Sequence, residues 1–324
     1  MNVRFWGVRG SIPVPGPTTE RYGGNTSCVE VTTGAGTRIV FDAGTGLRAY
    51  GHTLLDAGFA EGRGVAHILI SHTHWDHVHG LPFFAPLYQR GNKVQLYTRE
   101  SSGRPLQAVF EQAAVAPAGA GVPRSLVADI GVTELRDDAG FAIGDAHVAC
   151  ARLNHPYVAT AYAVTADGAK VVYVTDTAPF SDILFGHEYV KGPPPAGAEL
   201  PPSSLQALAA LRSGVVRLCE GADLVIYDTM FTADDYRRTP HFGHSRPSDA
   251  LAICTDAGAR TLALFHHAPE RDDDDVDRML IETRALATHQ LSSVAIIAAY
   301  EGLDLPLGRD AVNAAAARAS GGRR

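Results

Sequence analysis

The apolar run His67-Ile68-Leu69-Ile70 is followed at once by Ser71-His72-Thr73-His74-Trp75-Asp76-His77-Val78-His79-Gly80, which crowds four imidazoles and a carboxylate onto the end of a strand. Side chains two apart at a strand end face the same way, so His72 and His74 can grip one ion together. Asp76 and His77 lie past the strand end, where they can point at a neighbouring ion, and Gly80-Leu81-Pro82 suggests that the chain enters a helix near there. Neutral imidazoles with a carboxylate suit zinc, manganese or iron, and the absence of cysteine ligands points away from a closed structural zinc site.

Short β-branched runs recur around this segment: VRFW, SCVEVTT, TRIVF, HILI and KVQLY in the first half, then HVACARL, TAYAVTA, KVVYVT, DLVIYD, TLALF and SVAII. Helical stretches are expected over 46–56, 205–218, 247–257 and 276–288. Two β-rich halves with helices on their outsides predict one α/β domain over 1–310, built as sheets sandwiched between helices in four layers. Residues 186–202 (GHEYVKGPPPAGAELPP) predict a long loop, either a lid or an inert excursion, and 311–324 a tail.

With 324 residues, 45% of them hydrophobic, the chain can bury a large core. No apolar run reaches the ~18 residues of a membrane span, and the opening MNVRFWGVRG passes into strand alternation without a signal-peptide pattern, so a cytoplasmic location is expected. The formal charge of −7 offers no basic footprint, so no long nucleic acid is expected. A small anionic substrate is compatible with that charge, because bound cations dominate the local field. A homodimer is left open. Four dispersed cysteines, Cys28, Cys150, Cys219 and Cys254, form no CxxC pair and read as buried thiols.

The HxHxDH pattern after a strand, together with the opening FWGVRGSIPVPGPTTERYGGNTSCVEV, IVFDAGTGL, LNHP, VVYVTDT, FGHS and LFHHAP, resembles the metallo-β-lactamase superfamily along nearly the whole chain. The resemblance implies the αββα sandwich of that family, and it is closest to the phosphodiesterase-type branch that includes ribonuclease Z and bacterial cyclic phosphodiesterases. It further implies two divalent ions, zinc first, with manganese or iron as alternatives. His72, His74 and His155 would hold one ion, Asp76, His77 and His266 the other, and Asp176 would bridge them. The pattern of strand, His, two residues and Pro selects His266 over His267, whose role stays open, as does that of His79. Asp42 would support the ligand loop from behind. His244 in FGHS would be a proton donor outside the ligand set, forming the catalytic pair with Asp76.

Two cations ~3.5–4 Å apart can bind a bridging hydroxide. The expected reaction is therefore hydrolysis of a small or cyclic nucleotide-type phosphodiester. Ribonuclease Z-like RNA 3′ processing and lactone or β-lactam hydrolysis are the alternatives on the same fold. Asn25, Thr26, Ser27 and Arg246 are candidate substrate contacts, with Arg9 on the same footing.

Overall fold

The computed structural model describes residues 1–99, 126–136, 140–186, 190–195 and 198–308, so the predicted tail at 311–324 lies outside the described residues. Two seven-stranded mixed sheets face each other. The first contains β1 (Asn2–Gly7), β2 (Cys28–Thr32), β3 (Arg38–Phe41), β4 (Val65–Leu69), β5 (Lys93–Arg99), β6 (Asp129–Leu135) and β14 (Asp304–Pro306), ordered β14-β1-β2-β3-β4-β5-β6. The second contains β7 (Gly140–Ile143), β8 (Ala146–Arg152), β9 (Thr160–Ala166), β10 (Ala169–Val174), β11 (Leu224–Asp228), β12 (Thr261–Phe265) and β13 (Ala295–Ala298), in reverse chain order across the sheet. In each sheet one half is parallel: β3 through β6, and β10 through β13.

The four layers follow from side-chain alternation within these strands. Ile39, Phe41 and Leu69 of the first sheet meet Tyr173, Ile226, Ala263 and Phe265 of the second in the central core. Their neighbours Val40, Ile68 and Leu96 point the other way and pack on Leu47 and Tyr50 of α1 (Gly46–Leu54). On the far side Val172, Val174, Tyr227 and Leu264 pack under α3 (Pro202–Cys219), α4 (Pro247–Asp256) and α5 (Asp273–His289). Strands covered on both faces need apolar residues at every position, which is why LVIYD is buried throughout. Phe41 stacks on Tyr173 with centroids 5.0 Å apart, directly before Asp42. Truncating Phe41 to alanine would cost about 3–5 kcal/mol and loosen that strand end.

One local expectation holds and one changes. A single turn α2 (Trp75–Val78) follows the extended His74 directly, and a 3-10 turn over Leu81–Phe83 begins at the expected Gly80-Leu81-Pro82. Helix α1 ends at Leu54 and passes into a wider turn at Leu55–Phe59 that contains Gly58 at φ 89°. The described residues of 186–201 form neither helix nor strand, and α3 starts at Pro202, a residue suited to a first helical turn. The four cysteines are free and buried. No helix among the described residues is long and apolar enough to cross a membrane.

Candidate metal centre

The parallel halves of the two sheets send their loops out at one edge, where the polar residues gather. Asp42 follows β3, Ser71 to His74 follow β4, His155 follows β8, Asp176 follows β10, Asp228 ends β11 and His266 follows β12. The long gaps between these residues in sequence close at that edge into two adjoining clusters, His72-His74-His155-Asp176 and Asp76-His77-Asp176-His266. Asp176 belongs to both.

In the first cluster the hydrogen bonds fix which ring nitrogens face inward. The Ser71 hydroxyl donates to Asp42 Oδ2 at 2.8 Å, so it accepts from His72 Nδ1 at 3.0 Å. His155 Nδ1 donates to the Gly243 carbonyl at 2.9 Å. Both rings thus turn an Nε2 lone pair inward, and these lie 2.9 and 3.2 Å from His74 Nδ1. Burial holds all three imidazoles below their ordinary pKa, His72 and His155 well below it, so they are neutral.

The second cluster is richer in acid. His77 Nδ1 donates to Asp42 Oδ2 at 2.7 Å, while its Nε2 lies 3.1 Å from Asp76 and 3.2 Å from Asp176. His266 Nε2 sits 3.1 Å from Asp76 Oδ2 and 3.2 Å from Asp176 Oδ1. Burial opposes protonation here too, but the surrounding carboxylates outweigh it, raising His77 well above its ordinary value and His266 to about 9. Asp76 and Asp176 are held well below theirs, because the neighbouring histidines overcome the effect of burial. The Ser11 amide also donates to Asp76, at 2.8 Å.

Asp42, at φ 57°, accepts from the Ser71 amide and hydroxyl, His77 Nδ1 and the Tyr173 hydroxyl, and so ties the ligand loop to the core. Two glycines close over the histidines. A Cβ at Gly10 would lie 2.5 Å from the His266 ring, and one at Gly243 would lie 2.6 Å from His155 Nδ1. His267 turns away from the cluster, donating Nε2–H to the Ala299 carbonyl at 2.9 Å. His79 is exposed, its ring edge-on to Trp75.

His244 stands beside the clusters, its Nδ1 4.0 Å from Asp176 and 3.0 Å from Asp228 Oδ2. Asp228 is not among the residues the sequence singles out, although a signal was there: three core strands end alike, in VFD, VTD and IYD. Asp228, His244 and His266 form a third group of potential ligands. The Asp228 oxygens, however, already accept the Thr177, Ser245 and Met230 amides as well as His244, which reads as an orienting carboxylate and not as a cation site.

The candidate substrate contacts have partners inside the fold. Asn25 binds Glu301 through both its amides, Thr26 Oγ1 accepts the Thr45 amide, and the Ser27 hydroxyl faces the Arg9 carbonyl at 3.5 Å. Arg246 forks onto Asp249 and lies over the Tyr236 ring at 4.4 Å. Arg9 is fully buried and fastens the loop before β2 to the Gly23 and Arg271 carbonyls, which leaves it no path to a substrate.

Both clusters present the donor sets divalent cations take: converging imidazole lone pairs in one, imidazoles with two carboxylates in the other. The Nε2 atoms of His77 and His266 converge on the same two carboxylates, Asp76 and Asp176, at 3.1–3.2 Å, another sign that the site is shaped for a cation.

Residues 37–190 match the family model described as a beta-lactamase superfamily domain. The chain is similar to hydrolases of the metallo-β-lactamase superfamily. Among curated relatives it is 27% identical over 289 residues to ribonuclease Z of Halobacterium salinarum, covering 82% of this chain and 86% of that one. Its fold superposes on a metallo-beta-lactamase fold protein from Bacillus subtilis with a TM-score of 0.60 at 18% identity, covering 94% of this chain and 97% of the other. The short form of human tRNase Z gives the same TM-score and identity, covering 95% of this chain and 100% of the other. The αββα sandwich expected from the sequence is the fold observed.

Proposed function

We propose that the chain is a dinuclear metal-dependent phosphodiesterase that hydrolyses a small or cyclic nucleotide-type diester. In this reading His72, His74 and His155 hold one ion, Asp76, His77 and His266 hold the other, and Asp176 spans both. Two divalent ions, zinc being the best match to the donors, supply a lowered water pKa and a positive field for the non-bridging phosphoryl oxygens. The chain's residues do the rest. Asp76, fixed by the Ser11 amide, directs a carboxylate toward the shared centre. His244 delivers the proton the departing oxygen needs.

The observation that carries the reading is the buried Asp228–His244 pair. Asp228 engages Nδ1 at 3.0 Å, which leaves Nε2 as the ring atom that would hand a proton to a departing oxygen from the protonated imidazole. Lactone or β-lactam hydrolysis leaves such a donor without a clear task. RNA 3′ processing is the second reading, favoured by the ribonuclease Z relatives and opposed by the net charge of −7.

The test is a substrate panel on purified protein: 2′,3′-cyclic nucleotides, linear dinucleotides, a precursor tRNA and a lactone. The expected result is highest kcat/KM on a small diester. Within the panel, His244→Ala should slow an alkyl or ribose diester roughly 10²–10⁴-fold with both ions retained. It should slow bis(p-nitrophenyl) phosphate far less, because nitrophenolate leaves without a proton. Faster cleavage of precursor tRNA than of any small diester would replace the first reading with the second.

A further inference from the structure

Helix α3 packs against β8, and beside their contact the surface opens into a groove of about 410 Å³. Its lining includes Arg152 at the end of β8, Leu184 from the loop after Asp176, and Ala207, Leu211, Gly214 and Arg217 of α3. None of these residues belongs to either metal cluster, so the groove is a separate feature of the fold. Small-molecule sites are typically concavities of about 300–1,000 Å³ with apolar walls and a few polar groups, and the groove has that form.

Its two charged residues are arginines without an acidic partner. Elsewhere Arg21, Arg246 and Arg271 each reach an aspartate. Arg152 is half-buried, yet its side chain makes only a long 3.4 Å contact from Nη2 to the Phe185 carbonyl, and its buried Nε has no partner among the described residues. Burial lowers its pKa, and no carboxylate stands near enough to oppose the shift. A half-buried cation in that state is costly, and an anion is the group that would relieve it. Arg217 is exposed and forms no ion pair among the described residues. Its Nη2 lies 3.9 Å from where a Cβ on Gly214 would stand, so its charged end is folded back along the groove.

Gly214 adds a separate sign. Inside a helix, glycine is less stable than alanine. Nothing in the backbone requires a glycine here, because its φ is not positive and a Cβ would meet no atom closer than that Nη2. What the missing side chain does is leave the groove open.

We infer that this groove binds a small phosphomonoester, its dianionic head held by Arg152 and Arg217 and its apolar body lying on Ala207, Leu211 and Gly214. Guanidinium forks match phosphate oxygens in pairs, and two cations match a double negative charge. The site stands whichever bond the metal centre cleaves.

The test titrates the full, metal-loaded chain calorimetrically with phenyl phosphate, with benzoate and phenol as the singly charged and neutral arms. Two binding events per chain are expected for phenyl phosphate, one in the groove and one at the metal centre. Arg217→Gln, at an exposed helix position, should weaken one event roughly ten-fold or more, the loss of a charge-assisted contact, and leave the other unchanged. Gly214→Leu should block the same event while melting no lower than the wild type, because leucine favours a helix more than glycine does. Arg152→Gln should abolish that event with metal content unchanged. Benzoate should bind the groove more weakly than phenyl phosphate, and phenol should give no signal there.

A single event that the variants remove supports the site as fully as two. An event count and affinities that stay the same in both Arg217→Gln and Gly214→Leu overturn the inference, and they decide it even if Arg152→Gln fails to fold. Loss in Gly214→Leu alone would make the groove an apolar site and remove the anion from it. Benzoate binding as tightly as phenyl phosphate would rule out the match to a doubly charged head.

Discussion

The His72-His74-His155 cluster and the Asp76-His77-His266 cluster share Asp176 and the same strand ends, yet they meet protons in opposite ways. The first is neutral, because burial outweighs every nearby charge. The second holds protons on buried histidines, because Asp76, Asp176 and Asp42 surround them. Without metal, the first cluster is a ready set of lone pairs, whereas the second is a network of ion pairs that a cation must displace. Ligand type alone would not reveal this; the placing of the carboxylates does.

The largest expected effect comes from removing the residue the two clusters share. Asp176→Ala should take bound metal from about two ions per chain to near none. Hydrolysis should fall by more than the roughly 10²–10³-fold typical of losing one transition-state donor. Elemental analysis beside steady-state rates checks both. A variant that keeps one tightly bound ion would show that the clusters load independently, and full activity would remove Asp176 from the centre.

Much of this centre is legible in the sequence because its donors come in short local patterns. HxHxDH, LNHP and the Asp after VVYVT each mark a strand end, and the alternating strands position those ends. The substrate contacts are not legible in that way. Asn25 is taken up by Glu301, and Arg9 by carbonyls more than 250 residues away, as its bond to Arg271 shows. A polar residue in a loop carries no mark that says whether its partner is a ligand or a distant part of the chain. Asp228 ends its strand as Asp42 and Asp176 do theirs, so its signal lies in comparing the three strand ends and not in any one of them.

The proton difference gives the next effect. His266 keeps its proton up to about pH 9 in the metal-free protein, and His77 is raised in the same direction, so a cation entering the second cluster must release protons. Release from His266 alone should make affinity there fall roughly ten-fold for each unit that pH drops below about 9, and release from His77 should steepen that fall. The first cluster, already neutral, should bind with little pH dependence over the same range. Calorimetric zinc titrations in buffers of different ionisation enthalpy would count the protons. Equal release in the wild type and in a His266→Ala variant would erase the distinction.

Asp42 touches both clusters unequally, directly at His77 and through the Ser71 hydroxyl at His72. Losing a partner behind a metal ligand typically costs 10–100-fold in affinity. Asp42→Asn should therefore weaken the second cluster by about that factor and the first by less. Competition with a chromophoric chelator reads the two affinities, and an equal loss would mean that Asp42 acts by general destabilisation.

The smallest effect should come from the residue nearest to a ligand in sequence. His266 turns into the second cluster, whereas His267 donates to the Ala299 carbonyl and packs edge-on to Tyr22, with centroids 5.6 Å apart. Burial pushes His267 down to about 3, so it is a neutral group held for that one hydrogen bond. Replacing it with alanine leaves the Ala299 carbonyl unpaired, which should lower stability by about 1–3 kcal/mol. Metal content should stay near two ions per chain, and the second ion should dissociate at its usual rate. His266→Ala should do the reverse, losing the second ion and, with it, the ion-pair network's main cation. Metal analysis and denaturant melts of the two variants separate the roles. If His267→Ala sheds the ion and His266→Ala keeps it, the backbone register after β12 is wrong by one residue, and the contrast between the two clusters must be rebuilt around the other ring.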